Sequence, residues 1–172
     1  VTNRTVSLTM RSAVFAEETD EIFFYLLTIT HPSLTDGPIY LSTDPTQRLS
    51  EDPLVYGTVS RGKTYKYLPI SVVLPDDSDG TPPGITLAIA NISRDLIPLV
   101  RSIGPTGIRA KVTVELMAVS DLETVQLTWP AFDMLSAPYD GLTLNVTLGI
   151  DALATEQFPA GMFTPSGFPG LF

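Results

Sequence analysis

The chain has 172 residues, of which 44% are hydrophobic and only 17% charged, with 10 Lys and Arg against 19 Asp and Glu for a formal charge of -9. That length can bury the core of one domain. The acidic balance argues against a nucleic-acid binder, which needs a basic face, and against adsorption to an anionic membrane. With no cysteine, disulfides and thiolate metal sites are ruled out.

The chain begins VTNRTVSL, without a basic segment leading into an apolar core, so nothing there reads as a signal peptide. Residues 1–9 read as an arm or edge strand. A short helix follows, with Thr9 as its cap and Met10, Ala13 and Val14 along one side. Ile22 to Thr30, containing the run IFFYLL, is rich in aromatic and β-branched residues. It reads as a strand touched on both faces. His31-Pro32 stops it, and Asp36-Gly37-Pro38 turns the chain into Ile39-Tyr40-Leu41.

Residues 42–53, with Asp44-Pro45 and Asp52-Pro53, read as an irregular loop. Leu54–Val59 and Thr64–Leu68 flank Ser60-Arg61-Gly62-Lys63 as a hairpin, and Ile70–Leu74 follows Pro69. PDDSDGTPP (75–83) is a surface loop. Ile85, Leu87 and Ile89 then alternate with Thr86, Ala88 and Ala90. Asp95 caps a second short helix over Leu96–Ile103, with Pro98 in its first turn.

The second half alternates more clearly. Ile108, Ala110, Val112, Val114 and Leu116 interleave with Arg109, Lys111, Thr113, Glu115 and Met117, predicted as the wet face. After a Ser120-Asp121 turn, Val125, Leu127 and Trp129 form the apolar side and Gln126 the polar side. Phe132–Ala137 and Leu142–Ile150 complete the set. The sum is eight to ten strands and two short helices: a mainly β chain, an antiparallel barrel or sandwich. Residues 1–157 form the β domain and 158–172 a C-terminal arm.

That arm, FPAGMFTPSGFPGLF, carries Phe158, Phe163, Phe168 and Phe172 among Pro159, Pro165 and Pro169, with no charged side chain. Proline blocks helix and central strand, yet four aromatics are costly to leave in water. The arm therefore closes its own core or lies on a neighbouring subunit. Phe158, Phe163, Phe168, Phe172, Pro165 and Pro169 are the candidate interface residues.

No catalytic set stands out, and no cofactor or metal is implied. His31 is the single histidine and has no nucleophile signature beside it. Asp76, Asp77 and Asp79 lack the spacing of a calcium loop. The Ser60–Lys63 stretch lacks the pattern of a phosphate loop. Trp129 reads as core, and Tyr40, Tyr56, Tyr65, Tyr67 and Tyr139 as contact candidates.

Four segments taken together carry a resemblance: RSAVFAEETDEIFFYLLTITHP (11–32), STDPTQRLSEDPLVYGTVSRGKTYKYLPISVVLPDD (42–77), ITLAIANISRDLIPLVRSI (85–103) and TVQLTWPAFDMLSAPYDGLTLNVTLGIDALATEQFPAGMFTPSGFPGLF (124–172). They resemble the DUF1833 family of bacteriophage and prophage proteins, with TPSGFPGLF as the most specific part. Pro98 departs from the uninterrupted helical residue expected there.

The resemblance implies a minor tail protein of the virion, at the tail tip or baseplate between tail tube and central hub, made in the host cytoplasm. It implies a fold related to tube and distal-tail proteins and rings of subunits, six-fold in preference to three-fold. Tube, distal-tail and hub proteins are then its neighbours, with neither sequence-specific nucleic-acid binding nor membrane insertion. It brings no catalytic set, so an enzyme is not expected. The alternatives are a non-enzymatic module binding host-surface carbohydrate or protein, and a tail assembly factor.

Overall fold

A computed structural model describes residues 6–35, 37–74, 84–90, 100–101, 107–140 and 142–149. The elements are a helix α1 (Leu8–Phe15) and eleven strands. These are β1 (Phe23–Thr30), β2 (Ile39–Ser42), β3 (Gln47–Glu51), β4 (Leu54–Ser60), β5 (Lys63–Tyr67) and β6 (Ile70–Val73). After them come β7 (Gly84–Ala90), β8 (Lys111–Ala118), β9 (Asp121–Thr128), β10 (Phe132–Ser136) and β11 (Thr143–Gly149).

One sheet takes them all. Its path runs β3-β4-β5-β2-β1-β8-β10-β11-β7-β6, with β9 attached to β8. Every pairing is antiparallel except that of β2 with β5, where Leu41 lies opposite Lys66, so the sheet is mixed. Among the described residues the path stays open, ending on β3 and β6. The chain is mainly β, as expected of an antiparallel barrel or sandwich, but the β2–β5 pair makes the sheet mixed. A two-residue hairpin would demand antiparallel neighbours, but β2 and β5 are separated by β3 and β4 and so can align.

β1 shows why the continuous apolar run is needed. Tyr25, Leu27 and Ile29 lie opposite Leu116, Val114 and Val112 of β8 and face the main core, where Ile85, Leu87 and Ile89 of β7 and Leu144, Val146 and Leu148 of β11 meet them. Phe24 and Leu26 point to the other side, into a second cluster with Tyr65 and Met117. Leu26 and Leu27 are adjacent, and both are fully buried. Each such leucine contributes about 1.5–3 kcal/mol. The second cluster also overturns the expectation that Met117 lies on a wet face, because Tyr65, Leu122 and Val125 cover it.

β9 and β10 follow one edge of β8 in succession. The Trp129 N–H donates to Val114 O at 3.0 Å, and after Pro130-Ala131 the ladder resumes with Phe132 opposite Val112. β10 then leaves β8 and pairs with β11. Within β9, Leu127 faces Leu116 and Val125 faces Met117, so Gln126 is the extra residue of a bulge. The bulge turns Gln126 inward to 2% exposure, against the expectation that it is wet.

Gln126 holds the start of α1. Its Oε1 accepts a hydrogen bond from the Ser7 hydroxyl, and its Nε2 donates to Thr124 O at 3.3 Å. Ser7 Oγ in turn accepts from the Met10 N–H at 3.1 Å and is the helix cap. Thr9, expected in that role, sits inside the first turn. Of the stretch Leu96–Ile103, expected as a second helix, only Val100 and Arg101 lie among the described residues, too few to make an element. The acidic loop 75–83 lies outside the described residues.

Residues 42–53 hold a strand where a loop was expected. Asp44 anchors the connection between β2 and β3: its carboxylate accepts from Thr58 Oγ1 at 3.0 Å, Thr46 Oγ1 at 2.6 Å and Thr46 N–H at 3.2 Å. With that turn fixed, Gln47–Glu51 can pair with β4 around the Asp52-Pro53 turn, whose peptide bond is cis.

Candidate interface

The six arm residues expected to form an interface, Phe158, Phe163, Pro165, Phe168, Pro169 and Phe172, lie outside the described residues. Within those residues, the free strand edges are the features able to bind another chain. An edge strand presents unpaired backbone donors and acceptors, so proteins that stay monomeric guard their edges. Three strands here have a described partner on one side only: β3, β6 and β9.

β3 is guarded by its own sequence. A bulge at Leu49 breaks its register with β4, and exposed Arg48 and Glu51 form an ion pair along it. β9 is covered instead. The hairpin turn between β4 and β5 reaches it, because Arg61 (φ 49°) and Gly62 (φ 70°) both occupy the left-handed region, as a two-residue type I′ turn demands. The Arg61 N–H donates to Glu123 Oε1 of β9 at 3.0 Å. Its guanidinium meets both carboxylate oxygens of Glu115, with Nη1 to Oε1 at 3.1 Å, and contacts the Tyr65 hydroxyl at 3.4 Å. The Glu115 hydrogen bond is the main reason that the Arg61 pKa is raised. Farther along β9, Gln126 receives Ser7 and α1.

Among the described residues β6 has neither device. Ala90 N–H donates to Pro69 O at 2.9 Å, and antiparallel alternation then directs the N–H and C=O of Ser71 and Val73 toward β7. Those of Ile70 and Val72 point to the open edge. The Ile70 and Val72 side chains pack on the main core, whereas Val73 is 61% exposed. Leu74 beyond it is 38% exposed. Residues 67–74 and 84–90 contain no charged side chain. Beside β6, a shallow depression of about 420 Å³ is lined by small or apolar groups, among them Ser71, Ala88, Ala90 and Thr143.

The residues considered for chemistry have local employment. His31 is 8% exposed; its Nδ1 accepts from the Ser33 N–H at 3.0 Å, so Nε2 carries the proton toward Ile108 O at 3.1 Å. Trp129 is core and tilts against Tyr25 at 6.3 Å between ring centres. Tyr65 is buried and meets Tyr40 edge-on at 5.2 Å, which removes Tyr65 from the contact candidates. Tyr56 and Tyr139 are exposed on different parts of the sheet, and Tyr139 accepts from Arg101 Nε at 2.9 Å. Among the described residues no group of three or more His, Asp and Glu side chains could hold a metal ion. No helix among them is long and apolar enough to cross a membrane.

The model of a family described as a domain of unknown function, DUF1833, matches residues 9–163. The chain belongs to the DUF1833 family. The match takes in Phe158 and Phe163 and ends before Phe168 and Phe172. No curated protein matches the chain.

Proposed function

We propose that this DUF1833 protein is a structural subunit of a bacteriophage tail, a minor tail protein at the tip or baseplate between tube and hub. On this reading it acts by association and not by catalysis, and its fold is kin to the barrels of tube and distal-tail proteins. The observation that carries the proposal is an extended sheet that stays open among the described residues, with an uncharged β6 edge that none of those residues guards, while β3 and β9 are charged or contacted. A subunit that works within an assembly can leave such an edge open, because a neighbour completes it.

The arm 158–172 supplies the contact that closes a ring, six-fold in preference to three-fold. Its charge-free, aromatic composition suits burial against a neighbour. Light scattering and native mass spectrometry across a concentration series test this. The full chain gives a closed ring, and the chain ending at Gln157 does not. Equal masses for the two would remove the arm from assembly.

A further inference from the structure

We propose that β6 is a two-fold docking edge, on which a second copy of this chain lays its own β6 to continue the sheet across both molecules. This contact is separate from the ring contact assigned to the arm.

Edge-to-edge pairing needs one open edge on each copy. β3 cannot offer one, because the bulge at Leu49 interrupts its ladder and Arg48 and Glu51 line it. β9 is obstructed, because the Arg61 turn and the Ser7 end of α1 are hydrogen-bonded to its Glu123 and Gln126 side chains. β6 alone among the described strands remains for both partners, and the symmetric solution follows.

The hydrogen-bond parity permits it. Ile70 and Val72 present N–H and C=O outward, so Val72 can face Val72 of the second copy as a hydrogen-bonded pair, with Ser71 opposite Val73. Exposed Val73 and Leu74 would then be covered. Electrostatics select the same patch. Two molecules each carrying a formal charge of -9 repel, and 67–74 with 84–90 bring no charged side chain of their own to the joint, while Asp76, Asp77 and Asp79 lie in the segment between them.

The test uses Val72→Pro in the full chain. The Val72 N–H points away from β7, so proline removes an outward donor and leaves the β6–β7 ladder standing. Val73→Lys is the second variant, placing like charges across the joint without touching the backbone. Expected for both variants are a folded spectrum, a particle mass half that of the parent, and an apparent dissociation constant raised at least tenfold. In the parent, amide exchange at Ile70 and Val72 slows as concentration rises.

Unchanged mass in both variants, or exchange at these amides that does not depend on concentration, overturns the proposal. A ring abolished by truncation at Gln157 but unaffected by either β6 variant would retain the arm's role and reject this one. A dimer abolished by the β6 variants and unaffected by truncation would do the reverse.

Discussion

Single side chains hold the turns that set this sheet's register. Asp140 Oδ1 accepts from the Leu142 and Thr143 N–H groups at 2.8 and 2.7 Å, and Asp121 Oδ1 from those of Glu123 and Thr124 at 3.0 and 3.1 Å. The Asp140 pKa is lowered, first by the Leu142 backbone bond; that of Asp121 is lowered, first by Thr124. A carboxyl whose folded pKa is depressed contributes its stabilisation above the unfolded value, about 4, and loses it as pH falls through the folded value. Asp140→Asn keeps an acceptor oxygen and cannot titrate. Its melting temperature should therefore fall less than the parent's between about pH 5 and pH 2.5. Parallel slopes for the two proteins in thermal melts would show that this turn takes no part in acid unfolding. These turn aspartates follow familiar sequence signals. Gln126 does not: its burial depends on a bulge, and one inserted residue exchanges the faces of a strand.

At the level of the element, strands with one wet face were the readable ones. β7 and β11 alternate strictly because their apolar residues all enter one core, and the β4–β5 hairpin is announced by Arg61-Gly62. β3 is not readable, since QRLSE has weak strand character and the Asp44 bonds that hold the preceding turn come from Thr46 and from Thr58 of β4, a contact distant in sequence. Alternation alone puts Met117 on a wet face, because it reports two faces but not that the second is covered by Tyr65, Leu122 and Val125. The cap of α1 lies two residues before the one the sequence predicts, as Ser7 and Thr9 are both competent hydroxyls and the contact with Gln126 distinguishes them. Gly57 shows a constraint invisible in sequence. A Cβ there would sit 2.0 Å from the backbone oxygen of Tyr65 and 2.6 Å from Leu49 Cδ1. Gly57→Ala should cost about 1–3 kcal/mol by forcing β4 and β5 apart. Urea unfolding measures this, and a loss below about 0.5 kcal/mol would mean that the ladder yields without strain.

For the molecule as a whole, the opposing quantities are a formal charge of -9 and the absence of charged residues from β6 and the arm, the two proposed contact surfaces. Copies approaching through β6 or the arm repel through the rest of their surfaces while gaining little from ion pairs. Raising ionic strength from about 0.02 M to 0.3 M shortens the screening length from roughly 20 Å to 6 Å, which weakens that repulsion and leaves apolar burial intact. Association should therefore strengthen several-fold with added sodium chloride, as read by sedimentation velocity at fixed protein concentration. An interface built on Arg and Glu pairs predicts the opposite slope, since screening removes its attraction. Dissociation on adding salt would move the contact away from β6 and the arm, toward charged stretches such as Arg48–Glu51 on β3.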